Sequence, residues 1–226
     1  MNSTVLGKKI IFLHLPKTGG TTVISILKGQ FQNRVLRIEK PELKNFRSQE
    51  FLNKYWYRVF AGHGIYDLKQ VYKDSFFFSF LRHPVDRNIS NYYHIRNDPR
   101  HHKHDKYFKK YPTILAFVEK ASDKLLNKQL VNISCVKENL NQDTVATALV
   151  NIENDFDFIG ITELMDSSIT RLSSLVNKKS PDVIQSHNIN FGQYCADDID
   201  EEIRLILFER CRLEIELYNT VCKKSF

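Results

Sequence analysis

The sequence predicts an α/β fold, in which a parallel β-sheet is flanked by helices on both faces. Two apolar runs, at residues 10–15 and 75–81, have the length of strands that are buried on both faces. Each run is followed by a tight turn and then by a helical pattern, and this alternation continues along the chain, as is typical of parallel sheets. Because 226 residues suit one such domain, we expect a single domain over residues 1–226.

The first half of the chain supplies most of the predicted strands. The run IIFLHL stops at Pro16, after which Val23, Leu27 and Phe31 recur at helical spacing. The later run SFFFSFL leads through a second proline turn into another helix. The predicted elements are strands at 10–15, 35–38, 57–61 and 75–81, and helices at 21–31, from Pro41 onward, and from Pro84 to about Ile95.

The second half is predicted to be mainly helical. One further strand, at 158–162, precedes a helix at 165–178, and the chain ends in a long predicted helix at 198–222. Apolar residues recur along that last helix every three or four positions, which predicts one buried face. Other helices are predicted at 105–122, 124–134 and 140–154, and the buried stripe of the last helix consists of Ile203, Leu207, Cys211, Ile215, Tyr218 and Cys222.

Composition narrows the classes of protein. The chain carries 33 Lys and Arg against 26 Asp and Glu, a formal net charge of +7, which suits an anionic ligand without choosing among nucleotide, acidic glycan, nucleic acid and membrane surface. No apolar run approaches the ~18 residues of a membrane span, and the segment MNSTVLGKK lacks the apolar stretch of a signal peptide. The cysteines form no CxxC pair and are expected to be free thiols in a reducing cytosol. They are Cys135, Cys195, Cys211 and Cys222.

The strongest local signal is the segment LPKTGGTT at residues 15–22, between a predicted strand and a predicted helix. Its glycines let backbone N–H groups approach an anion, and the helix adds further N–H groups and the positive end of its dipole. Lys17 precedes both glycines, which distinguishes the loop from the GxxxxGK[ST] loop of kinases. A glycine turn with a capping threonine is the alternative interpretation. The candidate anion-binding residues are Lys17, Thr18, Gly19, Gly20, Thr21 and Thr22.

A second candidate anion site follows the run that ends at residue 81. Arg82 lies where the strand ends, and Ser90 follows eight positions later on the outgoing helix. A guanidinium and a hydroxyl at these places suit one phosphate group. A strand–helix turn with Pro84 at the first helical position and Arg82 in a salt bridge explains the same pattern equally well. The turns at 16–22, 62–66 and 82–90 all leave predicted strands at their carboxyl ends, so we expect them to converge on one site.

Taken together, these segments resemble the sulfotransferase superfamily. PKTGGTT resembles that family's 5′-phosphosulfate loop, and RHPVDRNIS resembles its 3′-phosphate motif. FAGHGIY at 60–66 and DFIGITELMDSSI at 157–169 are similar to segments of the heparan-sulfate 2-O-sulfotransferases and their bacterial relatives. The resemblance spans roughly residues 9–170 in order. It implies a P-loop-like parallel sheet of about five strands, with 3′-phosphoadenosine-5′-phosphosulfate (PAPS) as donor and 3′-phosphoadenosine-5′-phosphate (PAP) as product.

The resemblance also implies the chemistry, an in-line transfer of a sulfuryl group from PAPS to an acceptor hydroxyl. His63, between two glycines after a predicted strand, is the candidate base, because a histidine titrates near neutrality. Lys17 is the candidate for stabilising the leaving phosphate. A structural role in the turn is the alternative for His63, and His14, inside a buried run, is expected to be a satisfied core residue. Glu163 and Asp86 are lesser candidates, since helix capping or salt bridging explains both.

We predict no metal site and no metal requirement. The segment RHHKH at 100–104 has no standard metal-ligand spacing, and with the lysines up to residue 110 it indicates a basic loop that either docks an anionic acceptor or is simply solvated. A P-loop nucleotide or small-molecule kinase is the rival enzyme, but no GK[ST] and no evident Mg²⁺-holding Asp support it. A non-enzymatic basic nucleotide- or nucleic-acid-binding protein is the third alternative, and no motif supports it.

No motif names the acceptor or the oligomeric state. The likeness to the 2-O-sulfotransferases favours a sugar hydroxyl on a glycan, while a tyrosyl peptide or a small alcohol remains open. The sequence therefore predicts a cytoplasmic sulfotransferase with a hydroxyl-bearing acceptor as its partner, no nucleic-acid partner and no membrane span.

Overall fold

The computed structural model, which describes residues 7–38, 56–182, 184 and 199–225, contains a parallel β-sheet. Its strands are β1 (Ile10–Leu13), β2 (Val35–Ile38), β3 (Val59–Gly62), β4 (Phe76–Leu81) and β5 (Phe158–Ile161). Within the described residues they form a five-stranded sheet in the order β2-β3-β1-β4-β5, and each neighbouring pair is parallel. The predicted α/β fold with a parallel sheet is confirmed.

Helices fill most of the remaining described chain. They are α1 (Gly20–Phe31), α2 (Leu68–Val71), α3 (Pro84–Arg96), α4 (His104–Lys110), α5 (Ile114–Lys120), α6 (Asp123–Leu126), α7 (Lys128–Ser134), α8 (Gln142–Asp155), α9 (Met165–Leu175), α10 (Glu201–Arg210) and α11 (Arg212–Ser225). The helix predicted from Pro41 lies outside the described residues. Among the helices that are described, none has the length and apolar character needed to cross a membrane.

The described chain packs as two compact units, one within residues 1–81 and 153–187 and the other within residues 82–152 and 188–226. The first unit contains the sheet, and the second contains most of the helices. The expectation of a single domain over residues 1–226 stays a prediction.

The core of the first unit lies where α1 and α9 cover the sheet. Val23 and Leu27 on α1 and Ile169 on α9 are completely buried, with the aromatic strand residues Phe12 and Phe78 between them in one apolar cluster. Burying each such side chain contributes about 1.5–3 kcal/mol. The helical spacing of the α1 residues thus did predict the face that packs on the sheet.

The core of the second unit is built from helix faces. Ile89 and Tyr92 on α3 pack with Phe117 on α5 and with Leu207 and Ile215 from the last two helices. The tyrosine and phenylalanine rings are stacked, with centroids 5.6 Å apart.

Three long predicted helices are interrupted in the structure. The helix predicted at 105–122 ends at Lys110 and restarts at Ile114, because Pro112 cannot continue a helix and the Thr113 side chain caps the new one. The helix predicted at 124–134 is divided at Asn127 into α6 and α7.

The prediction of one continuous helix at 198–222 was wrong, because the segment is divided at Cys211 into α10 and α11. The backbone N–H of Cys211 still bonds to Leu207, so the apolar stripe runs on across the break. Its members are buried except Cys222, which is half-buried.

Candidate functional site

The loop after β1 is tightly folded and joins directly to α1. Lys17 and Gly19 both adopt left-handed backbone conformations, with φ of 68° and 74°. The hydroxyl of Thr18 donates to the backbone oxygen of Leu15 at 2.9 Å, which closes the turn from inside. A non-glycine residue with positive φ is a strained conformation that is found preferentially at ligand sites, and here it falls on the candidate catalytic lysine.

The amino end of α1 has the properties of an anion site. The helix begins at Gly20 and its first turn is Gly-Thr-Thr-Val, without an acidic side chain. The first N–H groups of a helix have no partner within it, and together with the dipole they attract an anion. Thr21 is exposed and Thr22 is buried. The hydroxyl of Thr18 already donates to Leu15 within the turn, so it is not directed at a ligand.

Only a glycine fits at position 20 of the loop, because the side chain of His14 lies directly beneath it. A Cβ atom on Gly20 would lie 1.9 Å from Nε2 and Cδ2 of His14, so the imidazole ring packs directly against the glycine. His14 is only 9% exposed. Its position under the first turn of α1 was not indicated by any sequence pattern.

His14 differs from its prediction in one respect. It is buried as expected, but its Nδ1 has no hydrogen-bond partner among the described residues, so the prediction of a satisfied core histidine was wrong. Burial, followed by the neighbouring His63, Arg37 and Lys17, lowers the pKa of His14 to about 3. The ring is therefore neutral at physiological pH.

His63 follows the last residue of β3 and lies against His14. Because Leu13 and Gly62 are partners in the parallel pair β1–β3, the next residues of the two strands meet beyond the end of the ladder. The imidazole rings are stacked, with centroids 4.2 Å apart, and His63 Nδ1 lies 2.6 Å from the backbone oxygen of His14. A carbonyl oxygen only accepts, so Nδ1 carries the hydrogen and, in the neutral ring, Nε2 carries the lone pair.

The first unit therefore brings together two groups that the sequence predicted separately. The His14 ring packs against Gly20 of the phosphate-type loop and stacks on the His63 ring. His63 itself is half-buried. A potential base and a potential anion site thus both pack against one buried side chain.

In the second unit, Arg82 and Ser90 are carried by the turn and helix that follow β4. Pro84 occupies the first turn of α3, as predicted. Both residues are half-buried. The backbone N–H and C=O of Arg82 are each bonded to the Gln129 side chain at 2.9 Å. Gln129 was missed by the sequence analysis, because a lone buried glutamine 47 residues away carries no local signal.

The two lesser candidates, Asp86 and Glu163, differ in their surroundings. Asp86 accepts a hydrogen bond from Arg204 at 3.4 Å and lies 3.9 Å from the His83 ring, which fits the salt-bridge interpretation. Glu163 is an exposed residue of the 3₁₀ turn at Thr162–Leu164.

The basic segment around residues 100–110 forms a short loop and α4. His101 and His102 stack on each other, and His104 lies 3.0 Å from Asp105 and 3.2 Å from the backbone oxygen of Arg96. In the described parts of the chain, no group of His, Cys, Asp and Glu residues is arranged to hold a metal ion. Among the described residues, Cys135, Cys211 and Cys222 form no disulfide, and Cys195 lies outside the described residues.

Known proteins match the chain at the level of family and fold. Residues 6–219 match the model of the sulfotransferase family. No curated protein is similar to the chain in sequence at a significant level.

Among solved structures, the chain is similar to a sulfotransferase from Alicyclobacillus acidocaldarius, with a TM-score of 0.55 and 11% identity over 95% of this chain and 96% of that chain. It is also similar to mouse sulfotransferase SULT7A1 complexed with PAP, with a TM-score of 0.49 and 12% identity over 90% of this chain and 63% of that chain. At such identity the bacterial likeness bears on the fold alone, and it agrees with the P-loop-like sheet of five strands.

Proposed function

The chain belongs to the sulfotransferase family, and on that premise we propose that it transfers a sulfuryl group from PAPS to a hydroxyl group of a glycan. One observation carries the proposal. Beside the loop that contains Lys17, the ring of His63 is held by the backbone oxygen of His14 in the tautomer that a base requires.

In the proposed reaction the acceptor hydroxyl gives its proton to Nε2 of His63. As that O–H bond breaks, the acceptor oxygen attacks the sulfur atom of PAPS and a new S–O bond forms. The bond between sulfur and the 5′-phosphate oxygen breaks at the same time, and its electron pair leaves with PAP. The hydrogen bond from Nδ1 to His14 is retained throughout and stabilises the imidazolium that results.

Negative charge grows on the 5′-phosphate as it leaves. Lys17 is proposed to stabilise that charge, together with the backbone N–H groups of residues 18–22 at the start of α1. The left-handed conformations of Lys17 and Gly19 support this role, because they curl the chain so that successive N–H groups turn toward one place.

Arg82 and Ser90 are proposed to bind the 3′-phosphate. The family's motif supports the assignment, and so does the position of Arg82 directly after a strand, with Ser90 on the helix that follows. AMP lacks a 3′-phosphate, so it would not use these two residues.

A glycan is favoured as the acceptor by the similarity of FAGHGIY and DFIGITELMDSSI to the 2-O-sulfotransferase segments. The cytosol is favoured as the compartment by the buried thiol of Cys211, which forms no disulfide among the described residues. The rival kinase function would need a lysine after the last glycine of the loop, where this chain has Thr21.

The experiment is a transfer assay with radiolabelled PAPS, in the presence of EDTA, against glycans, tyrosyl peptides and phenols. We expect label to move to a glycan without any divalent metal. Transfer to a peptide or phenol alone would overturn the choice of acceptor. Phosphoryl transfer from ATP that requires Mg²⁺, with no transfer from PAPS, would overturn the function itself.

A further inference from the structure

The strand-end arginine of the second unit is fixed through its backbone. Both ends of the Gln129 amide bond to it: Oε1 accepts from the N–H of Arg82, and Nε2 donates to the C=O of the same residue, both at 2.9 Å. Arg82 follows the last residue of β4. Gln129 is 1% exposed, so its amide must find its partners within the protein.

Gln129 is in turn fixed by Glu214 on α11. One carboxylate oxygen, Oε1, accepts from Nε2 of Gln129 at 2.9 Å and from Nε of Arg87 at 3.2 Å. The other, Oε2, accepts from the backbone N–H groups of Gln129 and Leu130 at 2.7 and 3.0 Å. Those N–H groups belong to the first turn of α7, so the carboxylate also caps that helix from another part of the chain.

Arg87 extends the network to α3, the helix that carries Ser90. Arg87 and Glu214 are both 1% exposed. The guanidinium also donates to the backbone oxygen of Leu126 and to the side chain of Asn88. A buried pair of charges is stable only when its hydrogen-bonding capacity is met, and here it is met from several elements.

We infer that Glu214 is a positioning residue for the 3′-phosphate, acting on Arg82 through Gln129 and on the helix of Ser90 through Arg87. The inference rests on the proposed function, which assigns Arg82 and Ser90 to that phosphate. At 1% exposure Glu214 does not touch the nucleotide. Glu214 instead fixes Arg82 and Ser90, which are the residues proposed to bind the 3′-phosphate. Selectivity for a 3′-phosphorylated nucleotide therefore depends on α11.

The test uses Gln129→Met, which keeps the length of the side chain and removes both bonds to Arg82 together with the side-chain bond to Glu214, so that the link between these two residues is broken. Asn132→Leu is the matched control, because Asn132 lies on the same helix and its side-chain amide donates to the backbone oxygen of Lys128 within α7. Calorimetry with PAP and with AMP gives the ratio of their affinities for each variant. We expect PAP to bind about tenfold more weakly to Gln129→Met while AMP binding is unchanged, and the control to keep the wild-type ratio.

A merely structural role for Gln129 would weaken both nucleotides alike or neither, and either result would overturn the inference. Should Gln129→Met fail to fold, Gln129→Asn, one methylene shorter, is measured in the same way and read by the same criterion. The proposed function fails separately: a wild-type protein that binds PAP no better than AMP contradicts the 3′-phosphate assignment before any variant is made.

Discussion

His63 donates the hydrogen of Nδ1 to the backbone oxygen of His14 at 2.6 Å, and the two rings stack with their centroids 4.2 Å apart. The orientation of the candidate base is thus set by main chain and by a ring that is itself buried under Gly20. Because β1 and β3 are neighbours in register, the arrangement depends on the sheet rather than on a mobile loop.

Replacing His63 by alanine should lower the transfer rate by about 10²–10⁴-fold and leave PAP affinity nearly unchanged, because the base acts on the acceptor proton and not on the nucleotide. Lys17→Ala should weaken PAP binding as well as the rate, since its charge meets the phosphate before and during the reaction. Steady-state kinetics and calorimetry separate the two effects.

The exposed lysine Lys124 on α6 supplies the control for that comparison, and Lys124→Ala should keep the wild-type rate and PAP affinity. Circular dichroism must show that the His63 variant is folded. A folded His63→Ala protein with near-normal turnover would show that another group takes the proton, and Glu163 would be examined next.

Arg82→Ala should weaken the binding of PAP by about 2–4 kcal/mol, because a charged hydrogen bond to the 3′-phosphate is lost. AMP lacks that phosphate, so its affinity should be unaffected. Titration calorimetry with both nucleotides measures the difference. An equal loss for PAP and AMP would mean that Arg82 shapes the turn instead of binding the 3′-phosphate.

Gly20→Ala and Gly29→Ala should change stability in opposite directions, although both glycines lie in α1. A Cβ on Gly20 would collide with His14 at 1.9 Å, which should cost about 1–3 kcal/mol, whereas a Cβ on Gly29 meets nothing within 4 Å. Alanine at position 29 should therefore stabilise the helix by up to about 1 kcal/mol. Urea unfolding measures both, and similar effects of the two substitutions would show that His14 is not packed against the loop.

His14 should make folding stability depend on pH. Burial lowers its pKa from 6.5 to about 3. Between these two pH values the His14 ring is protonated in the unfolded chain and neutral in the folded chain. The contribution of the neutral His14 to the free energy of unfolding is fully present above pH 6.5. It is lost progressively as the pH falls toward 3, by about 1.4 kcal/mol per pH unit.

His14→Leu, which cannot take up that proton, isolates the effect from the carboxylates that titrate in the same range. Between pH 6.5 and 5 the wild-type free energy of unfolding should fall by about 2 kcal/mol relative to the variant. Denaturant unfolding at a series of pH values measures this difference. A difference that stays constant with pH would contradict a neutral, buried His14.

Local pattern was enough to predict every strand of the described sheet within two residues at either end, and the face of α1 that packs on it. These features depend on residues close together in the chain, whose periodicity is set by backbone geometry. The interrupted helices show the limit of that method. Apolar spacing continues through Pro112 and Cys211, but the backbone leaves the helical conformation there.

Short contiguous segments were sufficient to predict the family, the parallel sheet, the phosphate-type loop and His63 as a candidate base. The contacts of His14 with Gly20 and His63, and of Glu214 and Gln129 around Arg82, became apparent only from the folded chain. Those partners are separated by tens of residues along the chain. They meet because strands and helices bury their polar groups together, and a buried donor or acceptor must find its partner wherever the fold places one.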